Sequence, residues 1–191
     1  MFRTVAALLA LWCAFLSSAG ANTSSDIAVR SVSGAVVKPL HADDRKATVL
    51  LFIAHDCPVS NSYAPEINRI CKQYTSHKVG FYVVYVEADL TAAEARKHVH
   101  DYGYVCPALL DPQHRLVTLA GATVTPEAAV FAPDGRRIYL GRIDNQYADI
   151  GRRREVVTAH DLRDALDRIV LGKPVAMKET TAIGCFIPTA R

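Results

Sequence analysis

Residues 48–65, TVLLFIAHDCPVSNSYAP, decide how the rest of the chain is read. An unbroken apolar run, Val49 to Ala54, ends at His55-Asp56; a single cysteine, Cys57, follows, and then Pro58. A continuous Val/Leu/Ile/Phe run of this length reads as a strand buried on both faces, as in a parallel sheet. Pro58 lacks an N–H and has a fixed φ, which suits the first turn of a helix. Cys57 is therefore expected where a central strand ends and a helix begins. Unpaired N–H groups and the positive end of the helix dipole favour an anion there. A thiolate is an anion, so the pattern predicts a thiol more acidic and more nucleophilic than an ordinary buried one, accessible at the rim of the sheet. The competing reading is a small apolar filler, since free cysteines are often buried.

The order strand, Cys57-Pro58-Val59-Ser60, helix with Pro65 resembles the thioredoxin superfamily. The longer match, Cys57-Pro58-Val59-Ser60-Asn61 with Tyr63-Ala64-Pro65-Glu66, is similar to exported bacterial redoxins of the alkyl hydroperoxide reductase/thiol-specific antioxidant (AhpC/TSA) type. The resemblance runs from about Ser31 to the C-terminus. It implies an α/β, thioredoxin-like fold with a central mixed β-sheet flanked by helices.

The chain has 191 residues, 22 Lys+Arg against 19 Asp+Glu. This near balance gives no bulk-charge argument for a nucleic-acid partner. Residues 1–21 read as a secretory signal: Arg3, an apolar core from Val5 to Leu16, and Ala19-Gly20-Ala21 as a small-residue cleavage site. The core is too short for a membrane anchor, and no other stretch is apolar enough to span a bilayer. Cys13 lies inside that core and argues against a lipid anchor. The expected organisation is a signal peptide (1–21), a redoxin domain (22–172) and a C-terminal tail carrying Cys185 (173–191), placing the mature chain in the periplasm or outside the cell. Cys57, Cys71, Cys106 and Cys185 then remain, in a compartment where disulfides persist. Four cysteines allow three full pairings, which sequence does not decide, and no CxxC pair suggests a zinc ribbon.

Outward from the central stretch, residues 27–37 suit an edge strand or hairpin. A helix is predicted from about Ser60 to Tyr74, bent by Pro65, with Tyr63, Ile67, Ile70, Cys71 and Tyr74 on one face. Cys71 is read there as packing. Val79 to Glu87 reads as a second central strand, completing a right-handed βαβ unit. Thr91 and Glu94 form a capping box for a helix to Tyr102, with His98 and His100 solvated. Cys106 has no local partner and is read as structural. It precedes a short strand ending at Asp111-Pro112. Pro133-Asp134-Gly135 turns a hairpin between residues 128–131 and 137–141. Residues 142–158 are read as a long, polar, irregular loop carrying Asp144, Tyr147, Asp149 and Arg152 to Arg154; a solvated basic turn is the commoner fate of such a charge run, and the resemblance, through a similar Asp-Tyr-Gly-Arg loop, implies a partner or anion contact. The last helix is predicted to start from Thr158 as N-cap, carry a stripe of Leu162, Leu166, Ile169 and Val170, and end at Gly172.

The motif is CxxS, so Ser60 cannot resolve a mixed disulfide formed on Cys57. Cys185 is the candidate resolving thiol: the 13 residues from Gly172 reach about 43 Å when extended. The resemblance adds that Thr125-Pro126 stands where such folds carry a cis-proline whose preceding residue presents its backbone to the reactive sulfur. It implies thiol–disulfide exchange, with protein or small-molecule thiols and disulfides and an exported reductant as partners, and no cofactor. Two alternatives stay open. Peroxiredoxins place Thr or Ser three residues before the reactive cysteine and Pro four before that, where this chain has Ala54 and Leu50; a peroxidase reading lacks that hydroxyl. A copper-binding chaperone or binding module of the Sco type would use Cys57, Cys185 and His55 as soft and imidazole ligands, without the CxxxC that such proteins carry.

Overall fold

The computed structural model describes residues 26–41 and 44–188. The expected signal segment, 1–21, lies outside them. Among the described residues no helix is long and apolar enough to cross a membrane.

The described residues open with a hairpin, β1 (Val29–Ser31) and β2 (Val36–Val37), and then enter β3 (Ala47–Ile53). Two helices follow, α1 (Pro58–Ser62) and α2 (Ala64–Thr75), and then β4 (Val79–Tyr85). Next come α3 (Ala92–Asp101), β5 (Ala108–Leu110), α4 (Arg115–Ala120) and the short β6 (Val124–Thr125). A second hairpin, β7 (Glu127–Phe131) and β8 (Arg137–Gly141), precedes a small one, β9 (Tyr147–Asp149) with β10 (Arg152–Arg153). The chain closes with α5 (Asp161–Val170) and β11 (Cys185–Phe186).

The main sheet has seven strands in the order β2-β1-β5-β4-β3-β7-β8. β3 runs parallel to β4 and antiparallel to β7, so the sheet is mixed, as expected. Every residue of β3 is buried, which explains why its sequence is continuously apolar from Val49 to Ile53 rather than alternating. α2 covers the sheet with Ile67, Ile70, Cys71 and Tyr74, and α5 with Leu162, Ala165, Leu166 and Ile169. Each fully buried Ile or Leu contributes about 1.5–3 kcal/mol. A buried carboxylate, Asp111, starts α4 by accepting the N–H groups of Arg115 (2.9 Å), Leu116 (2.8 Å) and Val117 (3.0 Å).

Several expectations are corrected. Pro65 splits the predicted helix instead of bending it: α1 ends at Ser62 with Tyr63 as its C-cap, and Pro65 sits in the first turn of α2, where its missing N–H costs nothing. Cys71 and Cys106 are joined in a disulfide with Cα atoms 6.4 Å apart. The two lie far apart in sequence and meet because α2 packs over β4 while β5 runs beside it, a juxtaposition that no local pattern encodes. Closing a loop of this size contributes about 2–4 kcal/mol. Replacing both residues, Cys71→Ala with Cys106→Ala, is expected to lower unfolding free energy by that amount in a urea titration; an unchanged midpoint would contradict a structural role.

The polar segment 142–158 is not a free loop. Asp144, Asn145 and Gln146 are buried. Asp144 accepts the Tyr63 hydroxyl at 2.8 Å, and Tyr147 donates to Ser62 Oγ at 3.0 Å, so this segment clamps the α1–α2 junction. Thr158 does not cap α5, because its hydroxyl accepts from Asn145 Nδ2 at 2.8 Å, and His160 takes the cap position instead. His98 is buried rather than solvated, while His100 is exposed.

Candidate functional site

Cys57 occupies the N-cap of α1 in extended conformation (φ −84°, ψ 111°), with Pro58 in the first turn. The Ser60 N–H points at its sulfur, 3.4 Å away. The hydroxyl of Ser60, itself fully buried, accepts from the Ala54 N–H at 3.4 Å and so ties α1 to the end of β3. The peptide bond between Thr125 and Pro126 is cis. The Thr125 carbonyl oxygen lies 3.3 Å from Cys57 Sγ.

The fifth member comes from the tail. β11 pairs antiparallel with β6, Cys185 opposite Thr125 and Phe186 opposite Val124, and the Ile187 N–H donates to Thr123 O at 2.9 Å. This ladder brings Cys185 onto Cys57, and the two form a disulfide with Cα atoms 6.2 Å apart. Cys57, Ser60, Thr125, Pro126 and Cys185 are thus one cluster. The expected accessibility of Cys57 is corrected: in the disulfide form the residue is 2% exposed, because the tail strand covers it, whereas Cys185 is partly exposed and Phe186 is 81% exposed.

Gly184 is the residue that permits this approach. A Cβ there would collide with the Thr125 carbonyl. No other side chain fits while β11 lies along β6.

Glu127 is a site residue that the sequence reading passed over. Buried on β7, it accepts the Thr123 N–H at 2.8 Å and fixes the segment on which the tail docks. Burial raises its carboxyl above the ordinary range, with the Thr123 and Val124 N–H groups and Arg137 opposing. A carboxyl raised on folding favours the fold while protonated, and that contribution is lost as pH rises through its folded pKa. Glu127→Gln stays neutral, so its melting temperature relative to the parent should climb as pH is taken from acid to neutral. A difference independent of pH would contradict the assignment.

His55 lies two residues before Cys57, just after β3. Its backbone N–H donates to Glu87 Oε1 at 2.5 Å, and its Nδ1 lies 2.8 Å from the same oxygen. Asn61 Nδ2 donates to His55 O at 2.8 Å, while Asn61 Oδ1 lies 2.9 Å from His98 Nε2. Tyr85 OH completes the chain at 2.7 Å from His98 Nδ1. Burial, and then the nearby His55, lower the His98 pKa. A neutral His98 that donates to Asn61 and accepts from Tyr85 satisfies all three groups. Asn61, inside the quoted motif, was the one sequence signal for this network. Among the described residues, His55, Asp56 and Glu87 place ligand atoms within 4.8 Å of one another.

A family model described as thioredoxin-like matches residues 44–137, which include Cys57 and Thr125-Pro126 but stop short of Cys185. No curated protein matches the chain by sequence. An uncharacterized conserved protein from Geobacillus kaustophilus is 27% identical with a TM-score of 0.74, covering 85% of this chain and 88% of its own. A hypothetical protein from Sinorhizobium meliloti is 23% identical with a TM-score of 0.74, covering 86% and 91%. A secreted Mycobacterium tuberculosis disulfide oxidoreductase homologous to E. coli DsbE shares the fold at 17% identity and a TM-score of 0.54, covering 80% and 99%.

Proposed function

We propose that the chain, which carries a thioredoxin-like domain, performs thiol–disulfide exchange through Cys57, with Cys185 as the resolving thiol. The observation that carries this reading is the Cys57–Cys185 disulfide, built where a helix start meets the Thr125-Pro126 segment. In the reduced chain the Cys57 thiolate attacks one sulfur of a partner disulfide. A Cys57–partner disulfide forms, and the other partner sulfur leaves as a thiolate. The Cys185 thiolate then attacks Cys57 Sγ, closing the internal disulfide and releasing the second partner thiolate. Two electrons pass to the partner. Ser60 supplies an N–H to the reacting sulfur and cannot supply the second thiol.

Protein or small-molecule disulfides and thiols are the proposed partners, with an exported thiol reductant and no cofactor. Two internal disulfides suit an oxidising compartment, so periplasmic or secreted action is part of the proposal. The secreted disulfide oxidoreductase that shares the fold is consistent with it. The test is turnover of a disulfide-bonded peptide in glutathione buffer. The parent chain is expected to accelerate it and Cys57→Ser to abolish the acceleration; a parent rate equal to buffer would overturn the reading.

A further inference from the structure

The two sulfurs of the internal disulfide are not equivalent, and the difference decides where a reducing thiol enters. We infer that regeneration of the oxidised chain runs through Cys185: the incoming thiolate attacks Cys185 Sγ, and the transient mixed disulfide sits on the tail, not on Cys57. This rests on the exchange reading above.

Two independent features select the same sulfur. The first is access. Cys57 is 2% exposed beneath the tail strand, while Cys185 is partly exposed on the two-residue β11. Thiol–disulfide exchange needs the nucleophile to approach along the S–S axis, so the buried residue is the poorer target and the partly exposed one the better target. The second is the leaving group, whose stability governs the rate once access is equal. Attack on Cys185 expels Cys57, whose sulfur faces the Ser60 N–H at 3.4 Å; after taking a proton it faces the Thr125 carbonyl at 3.3 Å. A partner therefore waits for either protonation state. Attack on Cys57 would expel Cys185, whose sulfur has no hydrogen-bond partner among the described residues.

The step balances. A thiolate RS⁻ adds to Cys185 Sγ, the Cys57–Cys185 bond breaks, and the electron pair leaves on Cys57 as thiolate. A second thiolate, from the same dithiol or another monothiol, attacks the R sulfur of R–S–S–Cys185. It forms the RS–SR disulfide and releases Cys185 thiolate. The chain gains two electrons and the reductant loses two. Substrate and reductant thus meet different sulfurs: the substrate disulfide is opened by Cys57 and the reductant is received by Cys185. The receiving sulfur belongs to β11, on the tail, and the attacking sulfur to the start of α1.

The experiment mixes the oxidised full chain with glutathione for short times. It quenches with acid, blocks free thiols and maps the glutathione adduct by peptide mass. Glutathione on Cys185 with Cys57 blocked as a free thiol is the expected result, in excess of the opposite adduct by at least about tenfold. Glutathione mainly on Cys57, or shared equally, would overturn the inference while leaving the exchange reading intact. If no adduct forms and the Cys57–Cys185 bond stays closed throughout, both fall.

Discussion

Substituting Gly184→Ala is expected to make the Cys57–Cys185 disulfide about 5- to 100-fold easier to reduce. The added methyl meets the Thr125 carbonyl. That carbonyl has little freedom to withdraw: it belongs to the residue before Pro126, and its neighbours Thr123 and Val124 are held by the buried Glu127 carboxylate. Overpacking of this kind costs about 1–3 kcal/mol. The tail can relieve it by leaving β6, and Cys185 then leaves Cys57. The cost falls on the closed form, in which the disulfide holds Cys185 against Cys57 and β11 against β6; in the reduced chain no covalent bond holds that approach. It therefore appears in the redox equilibrium at about 1.4 kcal/mol per factor of ten, or about 30 mV for a two-electron couple. Equilibration of both chains against glutathione, with the Cys71–Cys106 pair as internal reference, measures the shift. An unchanged midpoint would mean that β11 does not need its close approach to Thr125.

Cys57→Ser is expected to reduce peptide-disulfide exchange to the uncatalysed rate, the largest effect any single substitution should have. A serine hydroxyl at neutral pH is not ionised and does not attack a disulfide. The remaining Cys185 has neither a Ser60 N–H nor a second thiol to complete a cycle. Cys185→Ser should fail differently. Cys57 still attacks, but nothing resolves the product, so a Cys57–partner mixed disulfide accumulates and turnover stops after one event. Mass spectrometry of each variant after one equivalent of peptide disulfide separates the two. Sustained turnover by Cys57→Ser, or absence of the trapped species in Cys185→Ser, would remove the distinction between attacking and resolving thiols.

What could be read from the sequence follows from which interactions are local. The burial of β3 was legible because a strand covered on both faces must be apolar at every position from Val49 to Ile53. The start of α1 at Cys57-Pro58 and the capping box of Thr91 with Glu94 were legible because caps act within four residues. Long-range polar partnerships were not. Asp144 faces Tyr63, Asn145 faces Thr158, and His98 lies between Asn61 and Tyr85. Each pair is set by how the helices settle on the sheet. The Cys71–Cys106 bond has the same origin. Glu127 was hidden for a related reason: an acid directly after Thr125-Pro126 reads as surface, until the sheet closes over it and the Thr123 N–H turns toward it.

The same contrast applies to the tail. Reach alone allowed Cys185 to arrive at Cys57, but reach does not give direction. Direction comes from the antiparallel ladder of β11 on β6 and from the missing side chain at Gly184. Neither has a periodic signature, because a two-residue strand is too short to show one. The family match stops at residue 137, so the tail sits outside the stretch that matches the thioredoxin-like model. The second sulfur of the site is supplied by the part of this chain that the match leaves out.

One measurement reaches the centre of this account: redox titration of the full native chain in glutathione buffers, with differential alkylation and peptide mapping at each point. Cys57 and Cys185 should open and close together as a single two-electron couple, with one bond between them at the oxidising end. A bond from Cys57 to Cys71 or Cys106, two free thiols in oxidising buffer, or a Cys57–Cys185 bond that no native redox condition opens would contradict it.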